Sequence, residues 1–240
     1  MNFKRIAIEA VDIPDAWFQC VDSVLENGNK YIVQQGSYVG QTRLEFDWIT
    51  ILIKKPYREP YDLMLPEIPA HLGIPNPVAK GYIEQYLPYL MTEVVDEKEQ
   101  YTYGSRIGKV DTGMRTLKKG HWFNINISQR ECFIKLLRET PNTNQAVLRI
   151  CQPSDCLLGD PPCLCLIDMR IKEGELIFYP YFRSWDLWGG FPANLAAIAV
   201  LQKYMADEIG VAPGPICASS KGLHIYGYVE SLAKLRTGRL

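Results

Sequence analysis

The chain has few of the features that would mark a small secreted, metal-binding or membrane protein. It carries only three histidines, His71, His121 and His224, spaced far apart. Its seven cysteines, Cys20, Cys132, Cys151, Cys156, Cys163, Cys165 and Cys217, are odd in number and include no C-x-x-C pair. These two scarcities exclude a cysteine zinc site and a disulfide framework, so no metal is expected and most thiols read as small core hydrophobes. Apolar runs of the ~20 residues that a membrane span needs are missing. The first fifteen residues contain acids and no long apolar block, which argues against an export signal and for a reducing cytoplasm. With a net charge of -1, the composition offers no basic excess for nucleic acid and no charged face for a membrane. No internal repeat or low-complexity segment interrupts the chain.

What the sequence does have is an ordinary globular composition, 47% apolar and 22% charged over 240 residues, enough for one sizeable core. That length suits one large domain or two small ones. Residues 30–55 read as two or three strands, rich in β-branched and aromatic side chains and punctuated by glycine. Six prolines between 56 and 77 predict a long connection with little regular structure. Residues 78–91 look helical, with Pro88 bending or shortening the helix. Residues 93–100 form a charged surface loop. Apolar side chains at 133, 134, 136 and 137 mark one face of a helix over 129–139. "AVLRICQP" reads as a strand. Residues 194–208 are apolar almost all round, as in a buried helix, with Asn194 in a good position to cap it. Strands and helices together predict an α+β fold with a large mixed or antiparallel sheet packed against at least one buried helix.

The stretch Gly159–Ile198 concentrates the chemistry. "LCLIDMR" and "ELIFYPYFRS" flank Lys172-Glu173-Gly174, which reads as a three-residue hairpin loop closed by a glycine at positive φ. In that register Cys163 lies opposite Arg183, with Cβ atoms about 5 Å apart. A guanidinium beside a thiol lowers its pKa and favours the thiolate. Pro180 predicts a bulge or an edge position for the second strand. A thiolate near an anion-binding arginine suits attack on a phosphorylated substrate, and Arg183 with Ser184 offers a charged fork and a hydroxyl to phosphate oxygens. The Asn194 amide, donor and acceptor at once, matches the O4 and N3–H edge of uracil. His224 and Tyr226, two apart, share one face of a strand and could hold a sugar hydroxyl.

Taken alone, each residue has a plainer reading. Any one of seven cysteines is by default a buried structural thiol. Arg183 could pair with Asp186 at the surface, Asn194 could only cap its helix, and Gly189-Gly190 could be a turn. The clustering of these groups along one hairpin and one helix start favours the functional reading.

The segments "YTYGSR", "NQAVLRI", "PPCLC", "FRSWDLWGGFPANLA" and "GLHIY" resemble the signature segments of the thymidylate synthases, most closely the archaeal-type branch, in order and in spacing. The resemblance spans about residues 101–231 and implies a single catalytic domain over 1–240. It implies methylation of dUMP at C5, giving dTMP, through covalent attack of Cys163 on C6. The one-carbon donor it implies is 5,10-methylenetetrahydrofolate or a tetrahydromethanopterin equivalent. Carried over by position, Arg183 and Ser184 hold the phosphate, and Arg183 also stands beside the thiolate. Asn194 reads the pyrimidine edge, and His224 and Tyr226 hold the 3′-hydroxyl. Asp186, with Gly190, contacts the pterin and orders water. Tyr103 assists removal of the C5 proton. For the catalytic glutamate of the N-terminal half, Glu84 is the first choice and Glu67 the second. The resemblance also implies a homodimer packed through a sheet face. Typical members have His, Gln and two consecutive Arg where this chain has Leu164, Phe182 and Asn144-Gln145; Arg149 is one cation that could compensate. A folate-contacting Trp-bearing insertion and the usual closing tail have no counterpart. Two other functions fit the same residues: a pyrimidine nucleotide hydroxymethylase, and a non-catalytic nucleotide-binding regulator.

Overall fold

A computed structural model describes residues 3–36, 38–58 and 65–239. Eighteen principal elements follow one another in this order: β1 (Arg5–Ala10), α1 (Ile13–Asn27), β2 (Asn29–Ile32), β3 (Thr42–Glu45), β4 (Trp48–Ile53), α2 (Tyr82–Met91), α3 (Tyr103–Ile107), β5 (Lys109–Lys118), β6 (His121–Ser128), α4 (Gln129–Glu139), β7 (Val147–Arg149), β8 (Leu164–Lys172), β9 (Glu175–Phe182), β10 (Trp185–Asp186), α5 (Gly190–Ile209), β11 (Ala212–Ser220), β12 (Leu223–Tyr226) and α6 (Glu230–Arg236). Three strands thus occupy the 30–55 region. The proline-rich connection holds one short 3-10 turn, Ala70–Leu72, among its described residues.

Six strands form the main sheet in the order β1-β4-β11-β9-β8-β7. It is mixed: β1 runs parallel to β4, β11 runs parallel to β9, and the remaining pairs are antiparallel. A second sheet, β10-β12-β3-β2, stands beside it, and β5 and β6 make a separate hairpin. The α+β expectation therefore holds.

Alternation decides which face is dry. Ile49, Ile51, Ile53, Ile167, Met169, Leu176, Phe178, Ile216 and Ala218 are fully buried in one hydrophobic cluster with α1 and α5. The opposite face carries half-buried residues, among them Trp48 stacked on Tyr181 at 5.9 Å. Helix α5 buries Phe191, Leu195, Ala196, Ile198, Leu201 and Met205, as an all-round apolar helix should. Its one buried polar side chain, Gln202, donates to the carbonyls of Leu176 and Pro215, at 2.8 and 3.2 Å, and so ties β9 and β11 to the helix. Trp17 of α1 donates its indole N–H to Leu187 O at 2.8 Å, anchoring the chain as it enters α5.

Two sequence expectations need correction here. The β8–β9 loop has two residues, not three. Lys172 pairs with Glu175, and both Glu173 (φ 54°) and Gly174 (φ 80°) are left-handed, which matches the right-handed twist of a tight hairpin. That shift alone would send Cys163 and Arg183 to different faces. A bulge between Leu164 and Leu166 restores the register, so Leu164 pairs with Phe182 and the Arg183 amide donates to Cys163 O at 2.9 Å. Proline did not place β9 at an edge either. That strand lies between β11 and β8, with Pro180 opposite Ile167.

Helix α5 also begins four residues earlier than expected, at Gly190, so Asn194 lies inside the helix and caps nothing. The end is closed by Asp186, whose carboxylate accepts from the amides of Trp188, Gly189 and Gly190 at 3.2, 3.1 and 3.0 Å. A carboxylate there meets the positive end of the helix dipole. Pro88 sits within α2 without ending it; the helix runs on to Met91.

Candidate active site

The nucleophile candidate sits between a proline pair and a buried strand. Cys163 is half-buried, directly before β8. Burial pushes its thiol pKa up, and the nearby Arg183 guanidinium pulls it back down, though by less. The expected lowering by the cation is present; desolvation outweighs it. Arg183 donates Nε–H to Pro162 O at 2.9 Å and an Nη2 N–H to Pro161 O, so the two residues just before Cys163 grip the arginine that stands over the thiol.

These groups open into a cavity of about 400 Å³ lined by Cys163, Arg183, Ser184, Tyr226, Arg43 and Asp160, among others. Tyr226 reaches it from β12. Two residues back on the same strand, His224 is 2% exposed and packs edge-on to Tyr226 with ring centroids 4.7 Å apart. His224 Nδ1 lies 2.8 Å from Gly222 O, which assigns the proton to Nδ1. Burial holds the imidazole pKa below its ordinary value, so the ring is neutral at physiological pH. Its Nε2 is then a buried lone pair without a partner among the described residues. A ligand hydroxyl would satisfy it.

A second cavity, about 460 Å³, lies between α2 and α5 and is lined by Tyr82, Tyr86, Asp186, Gly189, Gly190 and Asn194, with Pro77–Ala79 at its rim. The Asn194 amide is held at both ends. Its Oδ1 accepts the Trp185 indole N–H at 3.0 Å, and its Nδ2 donates to Tyr86 Oη at 2.7 Å. That network fixes which way the amide faces, leaving one N–H and one lone pair for a ligand. Aromatic rings beside a carboxylate suit a flat nitrogen heterocycle such as a pterin, so the residues here fit that group.

Segment 101–107 connects to the nucleophile loop at three points. Tyr101 Oη donates to Asp160 O at 3.2 Å, Tyr103 Oη accepts from the Leu164 amide at 3.3 Å, and Arg106 pairs with Asp155 at 2.7 Å in a nearly buried ion pair. Tyr103 is buried, and desolvation drives its phenol well above the ordinary tyrosine range. Its helix starts with a capping box, in which Thr102 and Ser105 bond each other's backbone at 3.0 Å. Only glycine fits at 104, since a Cβ there would lie 1.9 Å from Thr92 O.

Cys163, Arg183, Ser184 and Tyr226 thus share one cavity, Asp186, Gly190 and Asn194 share the other, and Tyr103 and His224 are buried beside them. Glu84 and Glu67 are exposed and line neither. On α2 the inward positions are Ile83, Tyr86 and Leu90, so Glu84 points away from the core. Asn144, Gln145 and Arg149 line a separate cleft of about 640 Å³ with Cys132 and Cys151. Sequence reasoning missed Tyr86 and Arg43. Tyr86 had a readable signal, its place on the apolar stripe of α2, but no local pattern announces its bond to a residue 108 positions away. Among the described residues no cluster of His, Cys, Asp and Glu could hold a metal ion, and no helix is long and apolar enough to cross a membrane.

Residues 92–237 match the family model described as thymidylate synthase. Similar proteins, each named "Putative thymidylate synthase", occur in Methanosarcina barkeri (28% identical, 95% of this chain and 94% of that protein), Methanococcoides burtonii (28%, 92% and 89%) and Methanothermobacter thermautotrophicus (27%, 92% and 93%).

Proposed function

Because the chain belongs to the thymidylate synthase family, we propose that it methylates dUMP at C5 to give dTMP, with Cys163 as the covalent nucleophile. The observation that carries this reading is the cavity in which Cys163, Arg183, Ser184 and Tyr226 converge, with the guanidinium set against the thiol.

The roles follow from each group's chemistry. Arg183 and Ser184 bind the phosphate. The neutral His224, proton on Nδ1, accepts the 3′-hydroxyl at Nε2, and Tyr226 bonds the same hydroxyl. Asn194, locked by Trp185 and Tyr86, offers its remaining N–H and lone pair to the uracil edge. That orientation places C6 against Sγ. The Cys163 thiol first gives its proton to solvent; the thiolate then forms the S–C6 bond, the C5=C6 π bond breaks, and the negative charge passes to the exocyclic O4 as an enolate. Tyr103 stays protonated at all working pH values, so its phenol orders the neighbourhood of the C5 proton and does not act as a phenolate.

A methylene-carrying reduced folate or tetrahydromethanopterin supplies the carbon and the hydride when bound. Asp186, Gly190, Tyr82 and Tyr86 would hold it in the cavity between α2 and α5, where ring stacking and a carboxylate acceptor meet. We place the subunit contact on the half-buried sheet face around Trp48 and Tyr181. The reading also places the protein in the cytoplasm.

The decisive experiment is the mass of the nucleotide formed from dUMP with methylene-tetrahydrofolate, and separately with methylene-tetrahydromethanopterin, with UMP and dCMP run alongside. A gain of one methyl on dUMP establishes the reading. A hydroxymethylated product changes the final step to attack by water. No product with either carrier, while dUMP still binds, refutes catalysis.

A further inference from the structure

Two cysteines that the proposed reaction does not use stand against the nucleophile loop. Just past β7 the amides of Ile150 and Cys151 both donate to Cys165 O, at 2.9 and 3.0 Å. Two residues thus oppose one, a bulge that sets Cys151 across from Cys165. Residues opposed on antiparallel strands have Cα atoms about 4.5–5.5 Å apart, inside the span of about 4.4–6.8 Å that a disulfide bridges. The two thiols meet there. Both are free and half-buried, and Cys151 lines the cleft of about 640 Å³ through which a small oxidant can reach it.

Both sulfurs also lean on the loop that carries the nucleophile. The Cys151 thiol faces Pro162 O and Leu164 O, with Sγ 3.8 and 4.0 Å away, and Cys165 Sγ lies 3.8 Å from Cys163 O. These three carbonyls are consecutive. Two of them hold Arg183, since Pro162 O accepts its Nε–H and Cys163 O accepts its amide, each at 2.9 Å. The thiol pair and the frame that sets Arg183 over Cys163 therefore share the same two carbonyls. A disulfide draws its sulfurs to about 2 Å from one another and takes both S–H donors away from these oxygens.

We propose that Cys151 and Cys165 form a redox modification site: a peroxide joins them in a reversible disulfide, which shifts the carbonyls of residues 162–164 and slows Cys163. Cys165, its proton given to solvent, attacks one peroxide oxygen as the thiolate and expels hydroxide, leaving a sulfenic acid. Cys151, whose thiol is pushed up to about 12 by burial first and by Cys165 next, arrives protonated. Its sulfur attacks the sulfenic sulfur, and the departing hydroxide takes the Cys151 proton as water. Two sulfurs are oxidised and one peroxide is reduced to two waters; a dithiol reductant reverses the bond. The effect on turnover rests on the reading of Cys163 as the nucleophile, whereas formation of the disulfide does not.

Exposure of the full chain to hydrogen peroxide tests it, with peptide mapping, iodoacetamide alkylation of Cys163 and dUMP turnover followed on the same samples. The expected result is a Cys151–Cys165 cross-link with loss of two hydrogens, slower alkylation of Cys163, and recovery with dithiothreitol. Turnover should fall by about 100-fold, the scale of a reacting group misplaced by about 1 Å. Cys151→Ser and Cys165→Ser cannot form the cross-link and should hold their turnover longer under the same exposure; where one fails to fold, the other carries the test. Equal rates of inactivation in the parent and the variants overturn the proposal, because they assign the loss to oxidation of Cys163 itself. A cross-link from Cys151 to Cys132, which lines the same cleft, also overturns it. So does a Cys151–Cys165 cross-link that leaves Cys163 alkylation and turnover unchanged. Cross-linking that slows Cys163 alkylation in a protein that never converts dUMP supports the redox site and refutes the methylase reading, so the two failures are distinct.

Discussion

The backbone amide of Arg183 bonds the carbonyl of Cys163 at 2.9 Å, and the Arg183 side chain turns back to the two carbonyls just before that cysteine. One residue thus sets both the position of the thiol and the field it feels. Replacing Cys163 by Ala removes the nucleophile without touching this backbone frame. Turnover should fall by about three orders of magnitude or more, while the dUMP dissociation constant stays within a few-fold. Steady-state rates and calorimetry on the same preparation check this; substantial residual turnover refutes the assignment.

The opposing influences on the Cys163 thiol predict a pH dependence. Burial raises its pKa and Arg183 lowers it, so alkylation by iodoacetamide should quicken as pH rises through the thiol's titration. Arg183→Gln removes the lowering cation. Its alkylation midpoint should therefore move to higher pH, with slower alkylation at pH 7. A midpoint unmoved or lowered would show that the guanidinium does not act on the thiol.

Discrimination between bases should depend on Asn194 and on the bond that orients it. Asn194→Asp replaces a donor with an acceptor and is expected to shift preference from dUMP toward dCMP by about 10- to 100-fold in relative kcat/KM. Tyr86→Phe leaves the amide in place but frees its Nδ2, so the ratio of dUMP to dCMP should narrow. An unchanged ratio in both variants would assign base reading to another group.

Tyr103→Phe removes a buried phenol whose oxygen accepts from the Leu164 amide. The rate of the full reaction should drop by about 100-fold, the lower end of what a positioned proton-handling group contributes. The phenol's raised pKa keeps it protonated, so the parent protein should show no alkaline fall in rate from this group below about pH 10. A pH–rate profile compares the two directly.

The Arg106–Asp155 pair is nearly buried, at 2.7 Å, and Asp155 also accepts from the Gln152 amide at 2.7 Å. Removing one member strands the other away from water. Asp155→Ala is expected to cost about 3 kcal/mol in chemical denaturation. A loss below about 1 kcal/mol would mean that solvent already reaches the pair.

Much of this protein was settled locally. Alternating and helical periodicities are local consequences of burial, so strands over 30–55, read as two or three, the α4 stripe and the apolar α5 were legible from residue order alone, while β1 was not read. The order of Cys163, Arg183-Ser184, Asn194 and His224 was equally readable, as was the family it resembles. Tertiary structure decided what depends on distant partners. The expected hairpin register was off by one at the turn, and a bulge at Cys165 made up the difference, something no single-strand pattern encodes. The cap of α5 fell to Asp186 because its carboxylate could reach three amides at once, and Asn194 was released to bond Tyr86 across 108 residues. Arg43 joined the cavity only because β3 pairs with β12, bringing it opposite Tyr226. Periodicity is set by each residue's own burial; register, capping and convergence are set by which segments the whole chain brings together, and that choice is made by the packed core.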